Sequence, residues 1–458
     1  RKRDRQRSED SSAKLLRTAR FRANLTSSLE PSVGAGGPTW SRATKAWGFN
    51  ELGYLEELAS GCAFFGGARL VRNTVRTTSE DFSNAAWTKA NGTTTPSANV
   101  VLSANATSQQ SVNQTVSATL IAAGQVYIYC VRAKYVAGGV EFIQLTANGN
   151  GFGSGQYCNF SLLNGTKSAT GCTATASLVS GTSDTYDFSI KVQAVASGNY
   201  DAISIILGNA ESDTRFPSFI GDGIKSFELL RAWSVDVTNY DVSYVPEYVS
   251  VGVEASPYFG AGIDGAKYFS TDYTGGRALT NLIGFRREVA ATNNLLHSRD
   301  LSNAAWSTKT NITAAETATG LDGIANTATT LTATAADAII LQPITLASAD
   351  RCASAYVKRR TGTGAISFTQ DGGSTWTDIT SQINSSTWSR VQITATLANP
   401  SVGFKISTSG DAIDVDCVQN EAGAVATSPI VTTTAAVTRN ADSLTYQTAG
   451  NIDLAVGT

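Results

Sequence analysis

The chain has 458 residues, a formal net charge of −2, 16% charged side chains against the roughly 25% of an average soluble protein, six cysteines, one histidine and no methionine. That length allows two or three domains, each with a core of its own. The lone His297 leaves no His-rich metal site and little for a Ser-His-Asp arrangement, six cysteines without a CxxC pair are too few for a disulfide scaffold, and no apolar run reaches the roughly 18 residues of a membrane span.

The charge is uneven. Residues 1–22 hold nine basic and three acidic side chains, a net of +6, so the remainder is acidic. Arg1, Lys2, Arg3, Arg5, Arg7, Arg17, Arg20 and Arg22 form a basic tip suited to anchoring on another macromolecule, with a plain solvated terminus as the competing expectation. Starting at Arg1 without any Met implies a removed initiator or a missing preceding segment. Helix formers at 13–20 sustain no apolar period beyond about two turns. After the breakers Pro31, Gly34, Gly36, Gly37 and Pro38, residues 31–68 read as short strands or extended arms packed on something larger.

From about residue 69 to 248 the pattern is period-2. Tyr127 to Lys134, Val140 to Thr146, Tyr186 to Val192 and Ile203 to Leu207 alternate and are bounded by Gly and Asn, as half-buried strands joined by hairpins are. Phe227, Leu229, Arg231 and Trp233 would share one face, and the arginine makes that face a doubtful core. Residues 249–290 hold too many aromatics for a free tether and are expected to pack on their neighbours. From about 291 to 446 the pattern resumes: Ala353, Ala355 and Val357, then Ile366 and Phe368, then Val402, Phe404 and Ile406, then Ile413, Val415 and Cys417. Cys417 reads as a small core residue.

Asp81-Phe82-Ser83-Asn84-Ala85-Ala86-Trp87 returns as Asp300-Leu301-Ser302-Asn303-Ala304-Ala305-Trp306. Each copy opens a long stretch rich in Thr, Ser, Ala and Val, so the repeat marks the start of a folded unit. Residues 111–116 answer to 341–346, and Cys130-Val131-Arg132 to Ala355-Tyr356-Val357. Two all-β units without helices between strands fit sandwiches. Trp87 and Trp306, at the same place in both copies, are expected in the core or sealing a sheet edge. Thr369-Gln370-Asp371-Gly372-Gly373-Ser374-Thr375-Trp376 resembles the Asp-box hairpin, with the Asp371 carboxylate spanning a tight turn at Gly373 and the Trp folded beneath. It occurs once, so it marks a hairpin and not a propeller.

Several segments resemble a modular family of tailed-phage virion proteins, the tail fibres and head fibres. They are Gly37-Pro38-Thr39-Trp40-Ser41-Arg42-Ala43-Thr44, the lead-ins at Gly67–Asn73 and Asn293–Asp300, and the endings Val415–Glu421, Ala426–Ile430 and Thr438-Arg439-Asn440-Ala441-Asp442. The resemblance implies an all-β chain of two tandem jelly-roll β-sandwiches, to which the charge distribution adds an extended basic N-terminal anchor whose residues 1–22 match no part of the family. Its parts are the anchor segment 1–68, a first sandwich 69–248, a structured linker 249–290, a second sandwich 291–446 and a tail 447–458. It also implies a virion location, capsid, portal or tail proteins as partners, a homo-oligomer of trimer type, and lectin-like modules that contact host surface polysaccharide.

No phosphate-binding loop or dinucleotide fingerprint occurs, and nothing in the spacing of the acidic residues selects a glycosidase pair. Neither a catalytic residue, a metal nor a cofactor is expected. Tyr135, Tyr157, Tyr200 and Trp376, near turns, are the candidate glycan-contacting aromatics, each of which could instead cover a sheet edge. The leading expectation is a virion structural protein. The alternatives are a polysaccharide-active enzyme and a purely architectural cement protein.

Overall fold

The computed structural model describes residues 21–75, 77–114, 120–147, 151–199, 203–240, 245–273 and 276–451. Apart from a single 3-10 turn at Thr380–Gln382, every regular element described is a strand. Arg1, Lys2, Arg3, Arg5, Arg7, Arg17, Arg20 and Tyr200 lie outside the described residues. Arg22 lies within them, in a two-residue strand, Arg22–Ala23, paired with Pro31–Val33. The chain divides into two compact units, one holding residues 27–30 and 69–279, the other the described part of 1–26 with 31–68 and 280–458.

The 69–279 unit is a β-sandwich. Its strands are β1 (Thr88–Ala90), β2 (Val100–Leu102), β3 (Ser111–Gln114), β4 (Val126–Lys134), β5 (Phe142–Ala147), β6 (Tyr157–Ser161), β7 (Lys167–Thr170), β8 (Thr173–Leu178), β9 (Thr185–Gln193), β10 (Ile203–Gly208) and β11 (Ser226–Asp236). One sheet runs β7-β6-β5-β10-β3-β1 and the other β8-β9-β4-β11-β2, with antiparallel pairing throughout. Alternate residues of the two sheets, among them Tyr129, Val131, Ile143, Leu145, Phe160, Phe188 and Ile205, meet in one apolar core. Each large side chain removed from water there contributes about 1.5–3 kcal/mol, so packing outweighs the short ladders in holding the sheets together.

The other unit repeats the plan. Its strands are β12 (Thr308–Thr310), β13 (Ile312–Ala318), β14 (Ala328–Ala333), β15 (Ala338–Pro343), β16 (Ala349–Thr361), β17 (Ile366–Thr369), β18 (Thr377–Asp378), β19 (Ser389–Leu397), β20 (Ser401–Ile406) and β21 (Ala412–Ala422). The sheets run β12-β15-β20-β17-β18 and β13-β14-β21-β16-β19. Strand for strand this is the first sandwich, except that the first adds one edge strand to each sheet, β7 and β8, and reduces β13 to the single bridge Thr94–Leu102. The chain is thus a tandem of β-sandwiches with one jelly-roll-like sheet order.

Equivalent hydrogen bonds close each sandwich. The Asn73 amide donates to Val249 O at 2.8 Å while its Oδ1 accepts from Val75 N and Ser234 N. The Asn293 amide donates to Ile430 O and Val418 O, and its Oδ1 accepts from Leu295 N and Asn420 N. Six residues on, Ser79 exchanges bonds with Val251, and five residues after Asn293, Ser298 does so with Thr432. The repeated start is a turn held the same way twice: Asp81 and Asp300 accept from Ser83 N and Ser302 N, and Lys89 and Lys309 donate to the carbonyls of residues 83–84 and 302–303. Trp87 and Trp306 are each 1% exposed, their Nε1 donating to Thr78 O and His297 O. Both acceptor residues have positive φ, 38° and 48°.

The structure corrects three readings of register. Between β4 and β11 the pairing jumps from Arg132–Arg231 to Ala133–Leu229, leaving Leu230 as an extra residue. Phe227 and Leu229 therefore point into the core while Arg231 and Trp233 point out, which removes the conflict of an arginine on a core face. The same happens in β21: Ile413 and Val415 are core, the register breaks, Val418 is core, and Cys417, at φ 48°, packs on the opposite face. Finally, the cross-strand partners make Cys130 equivalent to Ser354 and not to Ala355, and Asn113 equivalent to Leu341. A slip of one residue exchanges inside for outside, and composition alone does not detect it.

In each unit the outer face of one five-stranded sheet is covered in part. In the 69–279 unit, Ile128, Cys130, Trp233 and Val235 pack with Tyr248, Phe259, Phe269 and Tyr273, so residues 245–273 form a second apolar layer. Arg69 lies over the Tyr273 ring at 3.7 Å and forks onto Glu247 at 2.6 and 2.9 Å. In the other unit, strands Ala46–Phe49 and Leu55–Leu58 pair as a hairpin, and Trp47, Phe49 and Leu55 pack with Tyr356, Trp388, Leu321 and Cys417. Residues 31–66 are therefore built into a folded unit.

Candidate functional site

The outer face of the first sandwich is covered only in part. Beyond residues 245–273, β9 presents Asp187, Ser189, Lys191 and Gln193 outward because Phe188, Ile190 and Val192 point in. Across from them β8 presents Thr173, Thr175 and Ser177. The row is polar and partly self-satisfied. Arg132 forks onto Asp187 at 2.6 and 2.7 Å, and the Thr175 and Ser189 hydroxyls bond at 2.6 Å.

At one end of the row an open groove of about 750 Å³ is lined by Phe152, Gly153, Gln156, Thr173, Lys191 and Gln193, among others. Gln156 fixes its wall: the amide donates to Phe152 O at 2.9 Å and Gln193 O at 2.7 Å, and its Oε1 accepts from Gln193 N at 2.7 Å. At Gly171 a Cβ would lie 2.1 Å from Gly155 O, so only glycine lets the two loops approach this closely. The groove offers an ammonium, a hydroxyl and an amide on a rigid floor. Its Cys172 thiol is pushed up to about 11, chiefly by burial, and that of neighbouring Cys158 to about 12, so neither presents a thiolate at neutral pH. Among the described residues no group of three or more His, Cys, Asp or Glu side chains could hold a metal ion, and no helix is long and apolar enough to cross a membrane.

The aromatics singled out from sequence do not share one face. Tyr135 follows β4, half-buried against the core, with its hydroxyl accepting from Gly138 N. Tyr157 opens β6 in the other sheet, half-buried, its carbonyl accepting from the Cys172 thiol at 3.3 Å. In the second sandwich, Trp376 folds against Gly373, where a Cβ would meet the indole at 2.8 Å, and Lys405 lies over the ring at 5.4 Å. Asp371 accepts from Thr375 N at 2.9 Å and from the Thr369 hydroxyl at 2.8 Å. Burial opposes its charge, and these bonds outweigh burial to hold its carboxyl below the usual range.

The residues of the groove were missed because Lys191, Gln193 and Thr173 sit at ordinary polar positions of alternating strands. The signal that could have found them is the additional β7–β8 segment, which has no counterpart in the second copy.

Residues 39–42 and 442–445 meet. Thr39–Ser41 pairs antiparallel with Ser443–Thr445, and Arg42 reaches Asp442 at 3.4 Å with 1% and 3% of the side chains exposed. Asp442 also faces Arg439 at 3.7 Å, Arg439 faces Glu288 at 3.3 Å, and Glu288 accepts from Ser428 N at 2.8 Å.

No family model matches the chain, and no curated protein matches it. Among solved structures, the N-terminal CBM22-1-CBM22-2 tandem domain of Xyn10C from Paenibacillus barcinonensis is similar, at 11% identity and a TM-score of 0.23, over 77% of this chain and 98% of that one. A superposition at that score carries nothing about function, and the tandem β-sandwich assignment stands on the sheets described above.

Proposed function

We propose that this chain is a non-catalytic carbohydrate-contacting protein, a tandem of β-sandwiches carried on a tailed-phage virion as a fibre, spike or decoration protein. The observation that supports carbohydrate contact is the groove beside the polar row of β8 and β9. A sugar chain needs hydroxyl-matching donors and acceptors on a preformed surface, and Thr173, Lys191 and Gln193 supply them along an open groove of about 750 Å³. Tyr135, Tyr157, Tyr200 and Trp376 are the proposed aromatic contacts.

The virion setting rests on the resemblance of residues 37–44 and 438–442 to phage fibre proteins, supported by the way these two segments pair. In this setting the basic residues Arg1 to Arg22 anchor the chain on capsid, portal or tail proteins. An oligomer, a trimer by the resemblance, multiplies weak sugar contacts into firm attachment.

The test is retention of the full chain on immobilised host polysaccharide, with a reducing-end assay on the same mixture. Retention without new reducing ends, weakened by Lys191→Ala with Gln193→Ala, supports the reading. Release of reducing ends moves the chain to a polysaccharide-active enzyme, and no retention leaves an architectural cement protein. Cryo-EM of particles lacking density for this chain would remove the virion setting.

A further inference from the structure

We infer that the second unit holds its own site for a single sugar ring, in a cleft of about 310 Å³ between the 46–58 hairpin and the closing segment 429–439. The inference deepens the carbohydrate reading and rests on it.

The hairpin supplies one wall. Trp47 stands directly opposite Glu57, and Lys45, two residues before Trp47, shares its face, so an indole, a carboxylate and an ammonium converge there. Lys45 Nζ lies 2.7 Å from Glu57 Oε1. The closing segment supplies the other wall, with the exposed Thr433 and the buried side chain of Ile430. Arg439, 2% exposed, lines the same cleft. Its Nη1 is committed to Glu288 and Asp442, but its Nε is buried without a hydrogen-bond partner among the described residues. That atom has no surface open to the cleft, so the groups a ligand would meet there are Trp47, Glu57, Lys45 and Thr433.

The chemistry of the lining selects the ligand. An anion would meet Glu57, and a cation would meet Lys45 and Arg439. A group that both donates and accepts suits all of them, and a pyranose adds an apolar C–H face for Trp47. The volume sits at the lower end of small-molecule sites, which run from roughly 300 to 1,000 Å³, so it admits one ring and not a chain. The ligand class is therefore a single sugar residue, free or terminal.

The experiment is saturation-transfer NMR of the full chain with the methyl glycosides of glucose, galactose, mannose, rhamnose and N-acetylglucosamine. Thr433→Val and Glu57→Gln are compared with the unchanged chain, and retention on polysaccharide is recorded in parallel. These exposed sites leave folding intact, whereas Trp47→Ala would also unpack the hairpin. The expected result is binding of at least one glycoside with Kd of about 1 mM, weakened about fivefold by each substitution through loss of one hydrogen bond. No glycoside signal, or signals unchanged in both variants, overturns the site whatever the polysaccharide does. Failure of the carbohydrate-contact reading shows differently, as loss of polysaccharide retention while the glycoside signals persist.

Discussion

Arg42 and Asp442, 400 positions apart in sequence, face each other at 3.4 Å with both side chains nearly inaccessible to water. Asp442 is shared with Arg439, whereas Arg42 is otherwise held by the carbonyls of Thr44 and Ala59. Removing one member of a buried pair leaves an uncompensated charge. Asp442→Ala, which strips an acidic partner from two arginines, should therefore destabilise its unit by about 3–5 kcal/mol. Arg42→Met should cost less, because Asp442 keeps Arg439. Urea unfolding followed by tryptophan fluorescence gives the order, and equal losses would contradict the shared role of Asp442.

Asn293 spends its whole side-chain capacity on four backbone groups and is fully buried. Asn293→Asp keeps the shape but turns an oxygen toward the carbonyls of Val418 and Ile430. The introduced carboxyl would be raised by burial, so its folded form prefers the proton, and stability present at low pH is lost as pH rises through the raised value. The variant should be weaker than the unchanged chain by several kcal/mol at pH 7 and closer to it near pH 4. Unfolding midpoints at the two pH values measure the difference, and a constant gap would exclude the mechanism.

Acid acts in the opposite sense on Asp322. Burial alone would raise its carboxyl, but hydrogen bonds from Arg299 at 2.6 Å and Thr327 at 2.7 Å outweigh it and hold it below the usual value. A depressed folded pKa stabilises above the unfolded value and is lost as pH falls through the folded one, so the contribution disappears below about pH 4. Asp322→Asn should flatten the acid limb of stability against pH. An unchanged limb would show that Asp322 does not carry it.

Gly373, at φ +90°, lies against Trp376, where a Cβ would come within 2.8 Å of the indole. Gly373→Ala meets both a disfavoured backbone region and the ring, for a cost of about 1–3 kcal/mol. Trp376 should be pushed off the turn, and its side chain should become accessible to acrylamide quenching. Since seven tryptophans contribute to the signal, the readout needs a Trp376→Phe reference.

The thiols were legible as a class. All six cysteines are free, and five are buried. The two sandwiches were equally legible, because period-2 alternation bounded by Gly and Asn follows from side chains pointing to opposite faces of a strand. Even the duplication lay in one short repeat, since a turn needing Asp, Asn and Trp at fixed offsets keeps those residues.

Register was not legible. The bulges at Leu230 and beside Cys417 flip a strand from one face to the other without any change in composition. Nor could the sequence show where the end segments go. Thr39–Ser41 and Ser443–Thr445 are short and locally unremarkable, and beside them Arg42, Arg439, Glu288 and Asp442 offset the cost of their burial by pairing with one another. The class of fold, the two copies and the turns that start them were readable from the residues alone, because those depend on neighbours a few positions apart. Which faces are covered, where the groove and the cleft open and how residues 39–42 meet residues 442–445 emerge only once the chain is folded, because desolvating a charge or a sheet face depends on what arrives from far along the chain.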